Sequence, residues 1–133
     1  MVINNPYNEA MRYIDNAKEQ LKLAHKDGDY YIDEKYVKSA CGIAYSGAIK
    51  ALDFFFDIRK VENRRRRKSI EYYRTMLGKM DNKLKDNLNT TYNILHLAGY
   101  YDGEKDISVI EAGFKNALTV IAALKPYSKN GDK

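Results

Sequence analysis

The sequence predicts an all-α fold, an up-and-down four-helix bundle whose third helix is bent or broken near 78–82, giving five segments. Three observations carry this. Nonpolar residues recur every three or four positions through four long stretches, the spacing of a single helix face. Helix breakers are sparse, with two Pro and eight Gly in 133 residues. Nothing alternates with period two for long, so strands have little support.

The first helix is expected from about Pro6 to Lys26. Asn5 can cap it, Pro6 suits the first helical position and Gly28 ends it. Ala10, Ile14, Ala17, Leu21 and Ala24 form its stripe, and Asp27-Gly28-Asp29 is turn chemistry. The second helix starts near Asp33 and runs to about Lys60. Its stripe is small through Ala40, Ala44, Gly47, Ala48 and Ala51, then widens into Phe54, Phe55 and Phe56. Small residues let a neighbouring axis approach closer than the usual distance of about 8–10 Å, which makes this the central, most buried helix. Cys41 lies in the same stretch and reads as a small core residue.

Apolar stepping stops between Val61 and Ile70, which places a turn there without Gly or Pro. Ser69 is a plausible N-cap for the next stretch, Ile70 to about Tyr101, with Tyr73, Leu77, Leu84, Leu88, Thr91 and Leu95 on its stripe. At about 1.5 Å per residue this helix would reach roughly 48 Å, longer than its partners. Gly78 and the cap-like Asp81 therefore predict the break. Asp102-Gly103 is a turn, and Ser108-x-x-Glu111 reads as a capping box opening the last helix, which ends before Pro126. These segments make one domain over residues 1–126, with a polar tail at 127–133 expected to fray.

Composition narrows the function. A single cysteine excludes an intrachain disulfide and any zinc site with more than one Cys ligand. Neither His25 nor His96 has a Glu three residues before it, the spacing that di-metal bundles use, so no metal and no cofactor are expected. Apolar runs are short, such as Leu118–Leu124, and residues 1–6 lack a secretory pattern, which predicts a cytoplasmic protein without a membrane span. The net charge of +5 is local: seven basic residues and one acid stand between Arg59 and Lys68, leaving the remainder slightly negative.

Two stretches carry a family likeness: the Ala-rich run from Tyr36 to Leu52, and Tyr92-Asn93-Ile94-Leu95-His96-Leu97-Ala98-Gly99-Tyr100-Tyr101-Asp102-Gly103. The chain resembles the HEPN superfamily, helical bundles of bacteria and archaea. That resemblance implies a four-to-five-helix bundle that frequently pairs as a dimer. Nuclease members of the superfamily carry an Arg, then four to six intervening residues, then a His. Here the positions preceding His96 hold Asn89, Thr90 and Thr91, and those preceding His25 hold Lys18, Glu19 and Gln20. The resemblance is thus to the non-nuclease branch.

Two constellations remain. Arg64, Arg65, Arg66, Arg67 and Lys68 form an electrostatic footprint for phosphates or an acidic protein partner, or else a solvated turn. Tyr92, His96 and Tyr100, four apart, share one helix face that could hold a ligand or partner, or simply cover the end of the bundle. No nucleophile or Gly-rich phosphate loop completes a catalytic set. Tyr30, Tyr31 and Tyr36 cluster where aromatic interface surface would serve. The expected role is a non-catalytic interaction module that homodimerises. The alternative is an RNA- or nucleotide-binding bundle using the basic turn 59–68, and more distantly a metal-independent RNase.

Overall fold

The computed structural model describes residues 5–61 and 69–128. They form an all-α chain of five α-helices: α1 (Pro6–Lys22), α2 (Glu34–Ile58), α3 (Ile70–Met80), α4 (Asn82–Thr91) and α5 (Ile107–Ile121). α4 continues directly into a π-helix, Tyr92–Tyr101, and α5 into a 3-10 helix, Ala122–Tyr127.

The helix starts follow from short polar side chains that satisfy N–H groups the first turn leaves unpaired. Asn5 Oδ1 accepts from the Asn8 N–H (3.0 Å), Asp33 Oδ1 from Lys35 (3.1 Å) and Ser69 Oγ from Tyr72 (3.3 Å). The expected capping box at Ser108 is displaced by two residues. Asp106 is the N-cap of α5, and its Oδ1 accepts from the N–H groups of Ser108 (2.9 Å) and Val109 (3.3 Å) and from the Ser108 hydroxyl (2.7 Å). The Ser108 hydroxyl, followed by the Val109 N–H, holds the Asp106 carboxyl below its ordinary pKa.

The break in the third helix falls where Gly78 and Asp81 predict it. Asp81 is extended (φ −161°, ψ 94°), donates its N–H to the Leu77 carbonyl (2.7 Å) and caps α4 by accepting from Leu84 (3.0 Å). The end of α2 explains a turn without glycine. Lys60 adopts a left-handed φ of 58°, while Val61 N–H reaches the Phe56 carbonyl (2.9 Å) and Lys60 N–H the Asp57 carbonyl (3.1 Å). This is the paired-bond helix closure in which glycine usually occupies the left-handed position.

The first helix ends four residues early. His25 (φ 55°) turns the chain, and Lys26–Asp27 (β1) pairs antiparallel with Tyr30–Tyr31 (β2) around a Gly28-Asp29 turn. Two paired residues on each side are too few to show an alternating pattern, so the sequence conceals this hairpin. Its other edge is stitched to the start of α5: Tyr31 N–H donates to the Lys105 carbonyl (2.8 Å) and Ile107 N–H to that of Asp29 (3.0 Å).

α2 is the central helix, in contact with α1, the π-helix and α5. Its small residues admit close neighbours. A Cβ on Gly47 would stand 2.6 Å from the Tyr13 Cβ of α1, and one on Gly99 of the π-helix would strike the Cys41 sulfur. The wide end is plugged by aromatics: Phe56 stacks on Tyr73 (6.0 Å, 20°) and meets Tyr72 edge-on, while the Tyr73 hydroxyl donates to Asp53 Oδ1 (2.8 Å). Tyr127 and Ser128, assigned from sequence to a fraying tail, are held instead. Tyr127 packs on Phe55 (6.3 Å), and Ser128 Oγ donates to Asn5 Oδ1 (3.2 Å).

Within the continuous helical run Ile107–Tyr127, 21 residues long, an 18-residue window reaches a mean hydropathy of 1.5, which by length and composition suffices to cross a membrane. Its uninterrupted apolar pieces stay short, because Glu111, Lys115 and Asn116 divide it. Ile110, Phe114, Ala117, Ile121 and Leu124 of this run are buried in the core.

Candidate functional site

The π-helix positions the site. Its buried side, followed back into α4 and forward into the turn, is Thr91, Leu95, Gly99 and Gly103, strictly four apart. An α-helix of 3.6 residues per turn would rotate such a series off the core, whereas i→i+5 bonding widens the turn and keeps it inward. The Asp102 N–H to Leu97 carbonyl bond (3.0 Å) has that five-residue spacing. Gly103 (φ 72°) then closes the helix with its N–H on the Gly99 carbonyl (3.0 Å). π-Helical turns are rare and concentrate at functional sites.

On the neighbouring face stand Tyr92, His96 and Tyr100, the residues singled out by their spacing, and the fold does bring them together. The His96 ring lies 5.1 Å from Tyr92 (29°) and 6.0 Å from Tyr100 (12°), with Tyr101 edge-on at 5.0 Å. Tyr45 of α2, absent from the sequence expectation, joins the stack at 4.8 Å from His96 (30°). Arg74 of α3 lies over the Tyr92 ring (5.2 Å) and donates to Asn89 Oδ1 (2.6 Å). Burial lowers the His96 pKa, so its imidazole is neutral at physiological pH. Burial likewise raises the Tyr45 phenol, which stays protonated.

An open groove of about 740 Å³ runs beside this stack. Ser39, Gly42, Ile43, Tyr45 and Ser46 of α2 line its floor; Tyr13 and Asn16 of α1 and His96 and Tyr100 of the π-helix line its sides. Gly42 is needed there, because a Cβ would stand 2.9 Å from the Tyr100 ring. None of the described lining residues is Asp, Glu, Lys or Arg. The signal available in the sequence was a second stripe on α2, Ser39, Gly42, Ile43 and Ser46, running beside the alanine stripe.

A model of the domain of unknown function DUF5618 matches residues 5–125. The chain belongs to the DUF5618 family. A solved structure of a protein of unknown function from Dyadobacter fermentans is similar to it, at 35% identity and a TM-score of 0.83, over 92% of this chain and 95% of that one. No curated protein matches.

The other candidates sit elsewhere in this DUF5618 chain. The basic run Arg64–Lys68 lies outside the described residues; Arg59 and Lys60, just before it, are exposed. Of the early tyrosines, Tyr31 is buried, Tyr36 is half-buried under Lys35 and Tyr30 is exposed. Among the described residues no three His, Cys, Asp or Glu gather as a metal site. Cys41 is buried against Gly99, and burial pushes its thiol up to about 12.

Proposed function

We propose that this chain is a non-catalytic, HEPN-like, up-and-down helical bundle of the cytoplasm that works as an interaction module, its first partner a second copy of itself. The observation that carries the reading is the uncharged, aromatic rim of the π-helix. Leu97, Tyr100 and Tyr101 are 38%, 46% and 61% exposed. Tyr92–Tyr101 contains no Asp, Glu, Lys or Arg. A two-fold interface sets a surface against itself, so formal charge near the axis would repel its own copy. This rim has none, and aromatic surface is what interface cores favour. Asn89, Thr90 and Thr91, standing where HEPN-type nucleases carry arginine, support a non-catalytic role.

Light scattering over a range of concentrations tests this. The expected result is a dimer that Leu97→Glu or Tyr101→Glu converts to a monomer; a monomer throughout refutes the reading. The charge of residues 59–68 favours a second reading, RNA or nucleotide binding. RNA affinity that falls steeply with salt and disappears when Arg64–Arg67 become Ser would establish it. RNA cleavage abolished by His96→Ala would overturn both.

A further inference from the structure

The groove is built differently from the rim beside it. The His96 and Tyr100 rings of its π-helix side and the Tyr45 ring of its floor are near-parallel, His96 lying within 30° of both Tyr45 and Tyr100. The rest supplies hydrogen-bonding groups of small size. Asn16 and Ser46 are exposed and spend their side chains on no hydrogen bond within the described residues, and Ser39 donates to Gln20 Oε1 (3.1 Å), leaving its lone pairs free to accept. With a volume of about 740 Å³ the groove lies in the range, about 300–1,000 Å³, of sites for small organic ligands.

Three features define what fits. Parallel rings favour a planar π-system, which stacks on them in offset geometry. The Asn16 amide and the Ser46 hydroxyl can both give and take a hydrogen bond, so they suit a ligand edge carrying N–H, O–H or carbonyl groups. The absence of formal charge among the described lining residues leaves a phosphate, sulfonate or carboxylate without a counter-charge, and a charge moved from water into such a groove loses more than it gains. We infer that the groove between α1, α2 and the π-helix is a binding site for an uncharged, planar aromatic or heteroaromatic small molecule with a polar edge. Tyr100 belongs to both the groove and the rim, whereas Leu97 and Tyr101 do not line the groove, so a substitution at Leu97 or Tyr101 disturbs the rim and leaves the groove's lining intact.

The test uses saturation-transfer NMR on the full chain with three probes. Indole is planar and neutral, indole-3-acetate adds a charge, and cyclohexanol is neutral but not planar. Indole is expected to bind and to move the His96 and Tyr100 ring resonances, with the other two at least about tenfold weaker. Ser46→Phe and Asn16→Phe place a bulky ring in the groove from exposed positions, where folding is unaffected, and each is expected to remove indole binding. Leu97→Glu is expected to retain it whether or not the parent dimerises. Absence of indole binding at millimolar concentration overturns the inference. So does equal or tighter binding of either control probe, or binding that survives both groove-filling variants with a native circular dichroism spectrum.

Discussion

Replacing Gly99 with alanine sets two effects of known size against each other. In an ordinary helix interior, Gly→Ala stabilises by about 0.5–1 kcal/mol because the glycine chain has more freedom to lose. At Gly99 the new Cβ would overlap the Cys41 sulfur and stand 2.8 Å from the Cys41 Cβ. Rotation of the cysteine can carry its sulfur away, but the Cβ is fixed to α2, so the two helices must part inside a fully buried contact. Overpacking of this kind costs about 1–3 kcal/mol. The clash therefore wins, and Gly99→Ala is expected to lose about 1–2 kcal/mol. Gly78 supplies the internal control: it is exposed in α3, and a Cβ there meets nothing nearer than the Lys85 side chain at 3.7 Å. Gly78→Ala should gain about 0.5–1 kcal/mol. Urea unfolding followed by circular dichroism reads both, since one residue type is exchanged for the same other in each. Equal signs, or a Gly99→Ala protein as stable as its parent, would refute the close approach of the π-helix to α2.

Lys60→Gly should stabilise by about 1 kcal/mol, because the left-handed backbone at Lys60 costs a side-chain-bearing residue about 1–2 kcal/mol that glycine avoids; thermal melts would show it. Cys41, buried and with its thiol raised to about 12, should resist a thiol reagent at neutral pH and react fully once the chain is unfolded in urea. His96 has its pKa lowered by burial, so the unfolded chain binds its proton first as pH falls; stability should be full above about 6.5 and decline below it. His96→Phe should flatten that decline, and an NMR titration of the parent should place the His96 midpoint below about 6.5. Tyr73→Phe, which removes the hydrogen bond to Asp53, should cost about 1 kcal/mol in urea unfolding.

The helical plan was legible because it rests on local chemistry. Asn5, Asp33, Ser69 and Asp81 announce helix starts wherever a short polar side chain precedes an apolar stripe, and all four hold to within a residue. Ser108 misled because Asp106, two residues earlier, offers a charged acceptor to the same N–H groups. The hairpin was hidden because two residues per strand carry no period, and it is held by bonds with Lys105 and Ile107 that no local window contains. The π-helix left a trace, the four-residue spacing of Thr91, Leu95 and Gly99, which reads equally well as the i, i+4 half of an α-helical stripe. Of the site, sequence spacing found the three residues on one helix. Tyr45, Tyr13 and Asn16 come from two other helices, and only packing brings them to the groove.

The hydrogen bond from Ser128 to the cap of α1 joins positions 123 apart in sequence. Any segment preceding residue 5 and any segment following residue 128 must then leave the domain side by side, the arrangement that lets a fold be circularly permuted or inserted into a loop of another protein. Fluorescent proteins fused at the two ends would sit within energy-transfer range of each other, on the far side of the molecule from the hairpin, where they would report on folding without covering the aromatic rim.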